Sequence, residues 1–163
     1  MNDVTFTFPA LPRSAAELAA LPEAALADPA AAAALTAAAL ARYGDSPEDA
    51  VGMLDALKGP QPLTPFEKQF LRDRLKGKSY VPLSYFAGAS PENGYVPERP
   101  YRVTVSETPQ SYAQEGYAQL YLRSSGADAP RPVKLRRKGG RWYLWEQFLL
   151  ADIRKPKSED PWA

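Results

Sequence analysis

The sequence predicts an α+β domain in which N-terminal helices pack on one face of a C-terminal antiparallel sheet of about four strands. Three observations carry that prediction. Capped, proline-marked helix starts crowd the first half of the chain. Short alternating runs fill the second half, and two adjacent glycines, Gly139 and Gly140, separate the last pair of them. Helices first and strands afterwards, with no helix between strands, describe an antiparallel sheet backed by helices rather than a parallel βαβ arrangement.

Residues 1–12 contain VTFTF, either a flexible lead or a short strand with Val4, Phe6 and Phe8 on one face, ended by Pro9 and Pro12. Residues 13–77 form the helical part. Ser14 and Glu17 have the spacing of a capping box for a short helix anchored by Leu18 and Leu21. Asp28-Pro29 supplies the cap and first residue of a second helix reaching about Tyr43, with Gly44 as its stop. Its many alanines favour helix and let neighbours pack closely. Ser46-Pro47 starts a third helix, whose stripe is Ala50, Val51, Leu54 and Leu57 and whose stop is Gly59. Thr64-Pro65 starts a fourth, with Glu67 completing a capping box. Phe66 and Phe70 share one stripe while Leu71 and Leu75 lie further round, so this helix should touch two surfaces.

Residues 78–100 read as a long loop with an irregular strand at YVPLSYF, and Glu92, Asn93 and Glu98 as surface-loop residues. Residues 101–150 form the sheet. Tyr101, Val103 and Val105 alternate with Arg102 and Thr104; Ala118, Leu120 and Leu122 alternate with Tyr117, Gln119, Tyr121 and Arg123. Phe148–Leu150 extends the last strand past a bend. Residues 151–163 are a polar tail in which Trp162 either docks or stands free. The whole of 1–163 reads as one domain.

The hairpin around Gly139-Gly140 organises the rest, because two glycines suit a primed turn with positive φ at both positions. With the turn there, Lys138 faces Arg141, Arg137 faces Trp142, Arg136 faces Tyr143, Leu135 faces Leu144, Lys134 faces Trp145 and Val133 faces Glu146. Val133, Leu135, Trp142 and Leu144 then meet the core. Lys134, Arg136, Lys138, Arg141, Tyr143 and Trp145 form a basic-aromatic outer face, continued by Arg131, and are the candidate binding residues. Tyr117 and Tyr121 extend this platform if they share its face. Arg137 and Glu146 fall on the apolar side, where the carboxylate either sits at the sheet edge, pairs with Arg137 or signals a different register.

Composition narrows the chemistry. The 163 residues contain no cysteine and no histidine. Disulfides, thiolate nucleophiles, cysteine or histidine metal sites and a histidine base are therefore ruled out. No metal site, catalytic residue or cofactor is expected. A net charge of +1 gives no global field to gather nucleic acid. No apolar run spans a membrane and the N-terminus lacks signal-peptide features, so a cytoplasmic location is expected. Ser84, Ser111, Ser124 and Ser125 have no histidine partner, and no motif supports a serine–lysine dyad. KGKS at 76–79 lacks the upstream glycine and preceding strand of a phosphate loop. The leading expectation is a non-enzymatic binding or structural protein that meets a protein partner through the basic-aromatic face. The alternatives are a histidine-free hydrolase pairing two of Glu92, Glu107, Glu115 and Glu146, or a weak nucleic-acid binder.

The stretches KGPQPLTPFEKQFLRDRLKGKSYVPLSYFAGASPENGYVP, SSGADAPRPVKLRRKGGRWYLWEQFLL and IRKPKSEDPWA resemble an uncharacterised bacterial domain-of-unknown-function family, from roughly residue 35 onward. The resemblance implies no activity, cofactor or catalytic residue. It does imply that the tail from Asp152 to Trp162 belongs to the fold. A looser similarity is to nuclear-transport-factor-like α+β domains, which also end in long antiparallel strands wrapped on helices but usually place a helix between early strands.

Overall fold

A computed structural model describes residues 2–163. Five strands form one antiparallel sheet in chain order: β1 (Asn2–Phe8), β2 (Tyr101–Glu107), β3 (Tyr117–Leu122), β4 (Arg131–Lys138) and β5 (Arg141–Gln147). Four helices, α1 (Ala15–Ala19), α2 (Pro29–Ala41), α3 (Pro47–Lys58) and α4 (Pro65–Leu75), fall between β1 and β2. N-terminal helices packed against a C-terminal antiparallel sheet are thus the architecture, with one strand more than expected. The extra strand is VTFTF, which pairs along its whole length with β2, from Asn2 opposite Glu107 to Phe8 opposite Tyr101.

Local chemistry sets each helix start. Asp28 accepts from Ala30 N at 2.9 Å and Ser46 from Asp49 N at 3.2 Å, each just before a proline whose missing N–H costs nothing in the first turn. Thr64 and Glu67 form the full reciprocal box, at 3.0 and 3.1 Å. At α1 the box is half made: Ser14 Oγ accepts from Glu17 N, but the Glu17 carboxylate turns to the backbone N–H of Arg13 and to its guanidinium.

α2 is buried all round from Pro29 to Leu40, as a helix without a polar face must be. Its one polar side chain, Thr36, donates back to Ala32 O at 2.8 Å. Alanine makes this burial feasible: short side chains let the sheet, α3 and the 80s loop approach the helix together. Val103, Val105, Ala118, Leu120, Leu122, Val133, Leu135 and Leu144 meet it from the sheet. In α3 the buried side chains are Ala50, Met53, Leu54, Leu57 and Lys58, so Met53 takes the place assigned to Val51.

The 80s segment is a 3-10 turn at Pro82–Tyr85, not a strand, and only Phe86 bridges to Val103. Phe148–Leu150 does not continue β5; Leu149 and Leu150 turn inward and are buried. Tyr85 Oη donates to Leu149 O at 2.5 Å across this junction. The tail is tied down at Arg154, whose N–H donates to Gly126 O and whose carbonyl accepts from Tyr95 Oη at 2.6 Å, and again at Lys157, which pairs with Glu92.

Candidate functional site

Gly139 (φ 58°) and Gly140 (φ 77°) form the hairpin tip, and pairing from Lys138–Arg141 to Leu135–Leu144 follows the expected register. Beyond Leu144 the register shifts. A β-bulge leaves Trp145 without a partner, Lys134 faces Glu146 and Val133 faces Gln147. The expected Lys134–Trp145 and Val133–Glu146 pairs are therefore corrected. The bulge also accounts for the misplaced carboxylate: Glu146 is exposed beside Lys134 and does not lie on the core side. Arg137 does not pair with it either. Its guanidinium lies 5.7 Å from the centre of the half-buried Trp142 ring.

The outer face gathers cations on rings. Arg136 sits 4.7 Å from the Trp145 centroid and 5.4 Å from that of Tyr117, its cross-strand partner. Lys134 Nζ is 5.3 Å from the Tyr117 ring, Tyr117 meets Trp145 edge-on at 5.9 Å, and Arg141 lies 5.7 Å from Tyr143. Each exposed contact of this kind contributes about 0.5–1 kcal/mol. Tyr121 faces Pro132 further along, hydrogen-bonded to Gln119. Arg131 is used otherwise: its guanidinium donates to Ala129 O, Ala151 O and Asp152 O and fastens the tail. Tyr143 is half-buried against Gly59 at the end of α3, so it contributes an edge rather than an open ring.

Where the hairpin meets α3 there is a pocket of about 310 Å³, lined by Lys58, Arg136, Arg137, Lys138, Tyr143 and Trp145 among others. Among the described residues, no carboxylate lies within 4 Å of a Lys134, Arg136, Arg137, Lys138 or Arg141 cation. Lys58 differs. It is almost buried, and its ammonium reaches Glu67 Oε2 at 3.1 Å and Trp145 O at 3.4 Å. It thereby holds the bulge against α3 and α4. Burial pushes the Glu67 carboxyl up, but the Thr64 N–H and the Lys58 ammonium outweigh this and hold it below its ordinary value. Lys58 and Arg137 were not among the expected binding residues. Lys58 lies 87 positions from Trp145 in sequence, and nothing local announces the contact.

A second groove, of about 230 Å³, adjoins the first at Lys58, Leu144 and Trp145. Its walls include Leu63 from the turn before α4, Phe66 and Phe70 from α4 and Phe148 from the segment after β5. α4 does not touch two surfaces as expected: Leu71 and Leu75 are buried, whereas the second stripe stays open, with Phe66 79% exposed and Phe70 exposed beside it.

Of the other candidates, Glu92 and Glu107 have partners elsewhere, and Glu115 and Glu146 are exposed. Glu92 pairs with Lys157 at 3.6 Å, and Glu107 accepts from Asn2. Glu17, Glu67 and Glu107 all shift downward, opposite to the shift a general acid requires. Ser84 and Ser124 are buried and hydrogen-bonded to each other at 2.7 Å, and Ser111 accepts from Thr108 N; these hydroxyls tie loops together. Among the described residues, no three Asp or Glu side chains come together to hold a metal ion. No helix of the described residues is long and apolar enough to cross a membrane.

Fold and face together define a small α+β domain with a cation-and-ring surface on its last hairpin. Residues 10–157 match the model of a family described as a domain of unknown function (DUF6935), and the chain belongs to that family. The match begins well before residue 35, so the alanine-rich helix is part of the family's domain too. No curated protein and no solved structure matches the chain, and the likeness to nuclear-transport-factor-like domains has no support from them.

Proposed function

We propose that this chain is a non-enzymatic binding module whose basic-aromatic face takes an acidic segment of a protein partner. The observation that supports it is the pocket at the hairpin, where Arg136, Arg137 and Lys138 stand without carboxylate partners beside Trp145. Unpaired cations next to an accessible ring suit an occupant that brings carboxylates and one apolar group. Nucleic acid fits less well. The cations cluster at one hairpin end rather than tracking a backbone, the net charge is only +1, and an apolar groove continues the site.

The experiment is a fluorescence titration with a labelled peptide in which glutamates flank one tryptophan, run beside its glutamine counterpart and an oligothymidylate. Salt-sensitive binding of the acidic peptide is expected, and its loss in the R136A/R137A/K138A variant. Tighter binding of the oligothymidylate would transfer the face to single-stranded nucleic acid. Binding of neither probe would remove it as a site.

A further inference from the structure

The chain carries a segment with the chemistry that the proposed site selects. Trp162 is 93% exposed, the most exposed large apolar side chain of the described residues. The backbone that carries it is turned and anchored at Lys157. The tail turns through a 3-10 segment at Lys157–Glu159, Lys157 pairs with Glu92, and Trp162 N donates to Asp160 Oδ1 at 2.9 Å. Glu159 and Asp160, immediately before it, have no cation within 4 Å among the described residues. The tail thus presents two carboxylates without cation partners and one bare indole on a turned backbone.

We propose that the tail of one copy docks into the paired grooves of a second copy, with Trp162 between Phe66 and Phe148 and Glu159 and Asp160 against Arg137 and Lys138. This rests on the basic-aromatic face being a binding site and names its partner. Three observations favour it. The charges are complementary, since unpaired cations on one surface meet unpaired anions on the other. The apolar groove, at about 230 Å³, is smaller than the usual small-molecule pocket and suits a single aromatic side chain. The backbone that carries the indole is already turned, which lowers part of the ordering cost of using it as an anchor. Reciprocal exchange of the two tails gives a closed two-fold dimer in which each copy supplies one tail and one groove.

Sedimentation equilibrium of the full chain over a dilution series tests this. Wild type is expected to pass from monomer to dimer, and W162A to weaken the dimer by about thirtyfold, the effect of truncating an aromatic hot spot. Circular dichroism of W162A should be unchanged because the ring supports nothing in the monomer. E159K and R137E should each fail to dimerise alone yet associate when mixed, since the swapped charges restore both contacts. A chain that stays monomeric throughout the series overturns the proposal, as does a dimer indifferent to W162A and R137E. Burial of Trp162 in a wild-type monomer, read by acrylamide quenching, would instead place the tail in its own groove and also overturn it. The acidic-peptide titration separates the two readings: if that peptide binds while the wild-type chain remains monomeric, the face stands as a binding site and the tail is not its partner.

Discussion

Gly59→Ala probes how the floor of the pocket is set. Gly59 ends α3 at φ 64°, ψ −120°, a conformation open to glycine and strained for any other residue. A Cβ placed there would lie 2.4 Å from Tyr143 Cδ1 and 2.5 Å from Cε1, closer than carbon atoms tolerate. Backbone strain of about 1–3 kcal/mol and overpacking of about 1–3 kcal/mol together predict a loss of about 2–6 kcal/mol. The two parts are separable. Tyr143→Ala removes the ring that the new methyl strikes but leaves the strained backbone. A double-mutant cycle by urea denaturation should therefore return a coupling of about 1–3 kcal/mol. Stability of Gly59→Ala within about 0.5 kcal/mol of wild type would mean that the chain leaves α3 by another path. A zero coupling would mean that Tyr143 does not rest on Gly59.

Other expectations follow from single contacts. Tyr85→Phe leaves the buried Leu149 carbonyl without its donor and should cost about 1–3 kcal/mol in urea denaturation. Leu135→Ala, fully buried between sheet and α2, should cost about 2–5 kcal/mol in the same assay. Against the upward push of burial, the Thr64 N–H and the Lys58 ammonium hold the folded Glu67 carboxyl below its ordinary value, so it adds stability at neutral pH that disappears as pH falls through the folded value. Urea midpoints of Glu67→Gln should accordingly fall less than those of wild type between about pH 5 and pH 3; parallel curves would refute the Lys58–Glu67 linkage. Deleting Trp145 removes the bulge without moving the Lys134–Glu146 and Val133–Gln147 pairs. Hydrogen exchange across those pairs should be retained, and a register slip would contradict it.

What was legible in the chain was local. Ser14, Asp28, Ser46 and Thr64 each announce a helix because the side chain that caps it lies within three residues of the N–H it accepts. Gly139-Gly140 fixes the hairpin for the same reason, and alternation then assigns Leu135 and Leu144 to the core. Two things were out of reach. Strict alternation cannot register an inserted residue, so the bulge showed only as an oddly placed Glu146. Long-range partners leave no mark: β1 needed β2, about a hundred residues on in the chain, to become a strand, and Lys58 needed the bulge carbonyl to become part of the site. The basic-aromatic face was legible as a pattern, but its pocket was not, because α3 closes one wall.

The most direct measurement is the indole N–H spectrum of the ¹⁵N-labelled protein during titration with the acidic peptide. Trp142, Trp145 and Trp162 give three signals. The Trp145 signal is expected to move saturably, added salt to reverse the movement, and R136A/R137A/K138A to abolish it. A Trp145 signal that stays still while the peptide binds, or that moves equally in the triple variant, would contradict this.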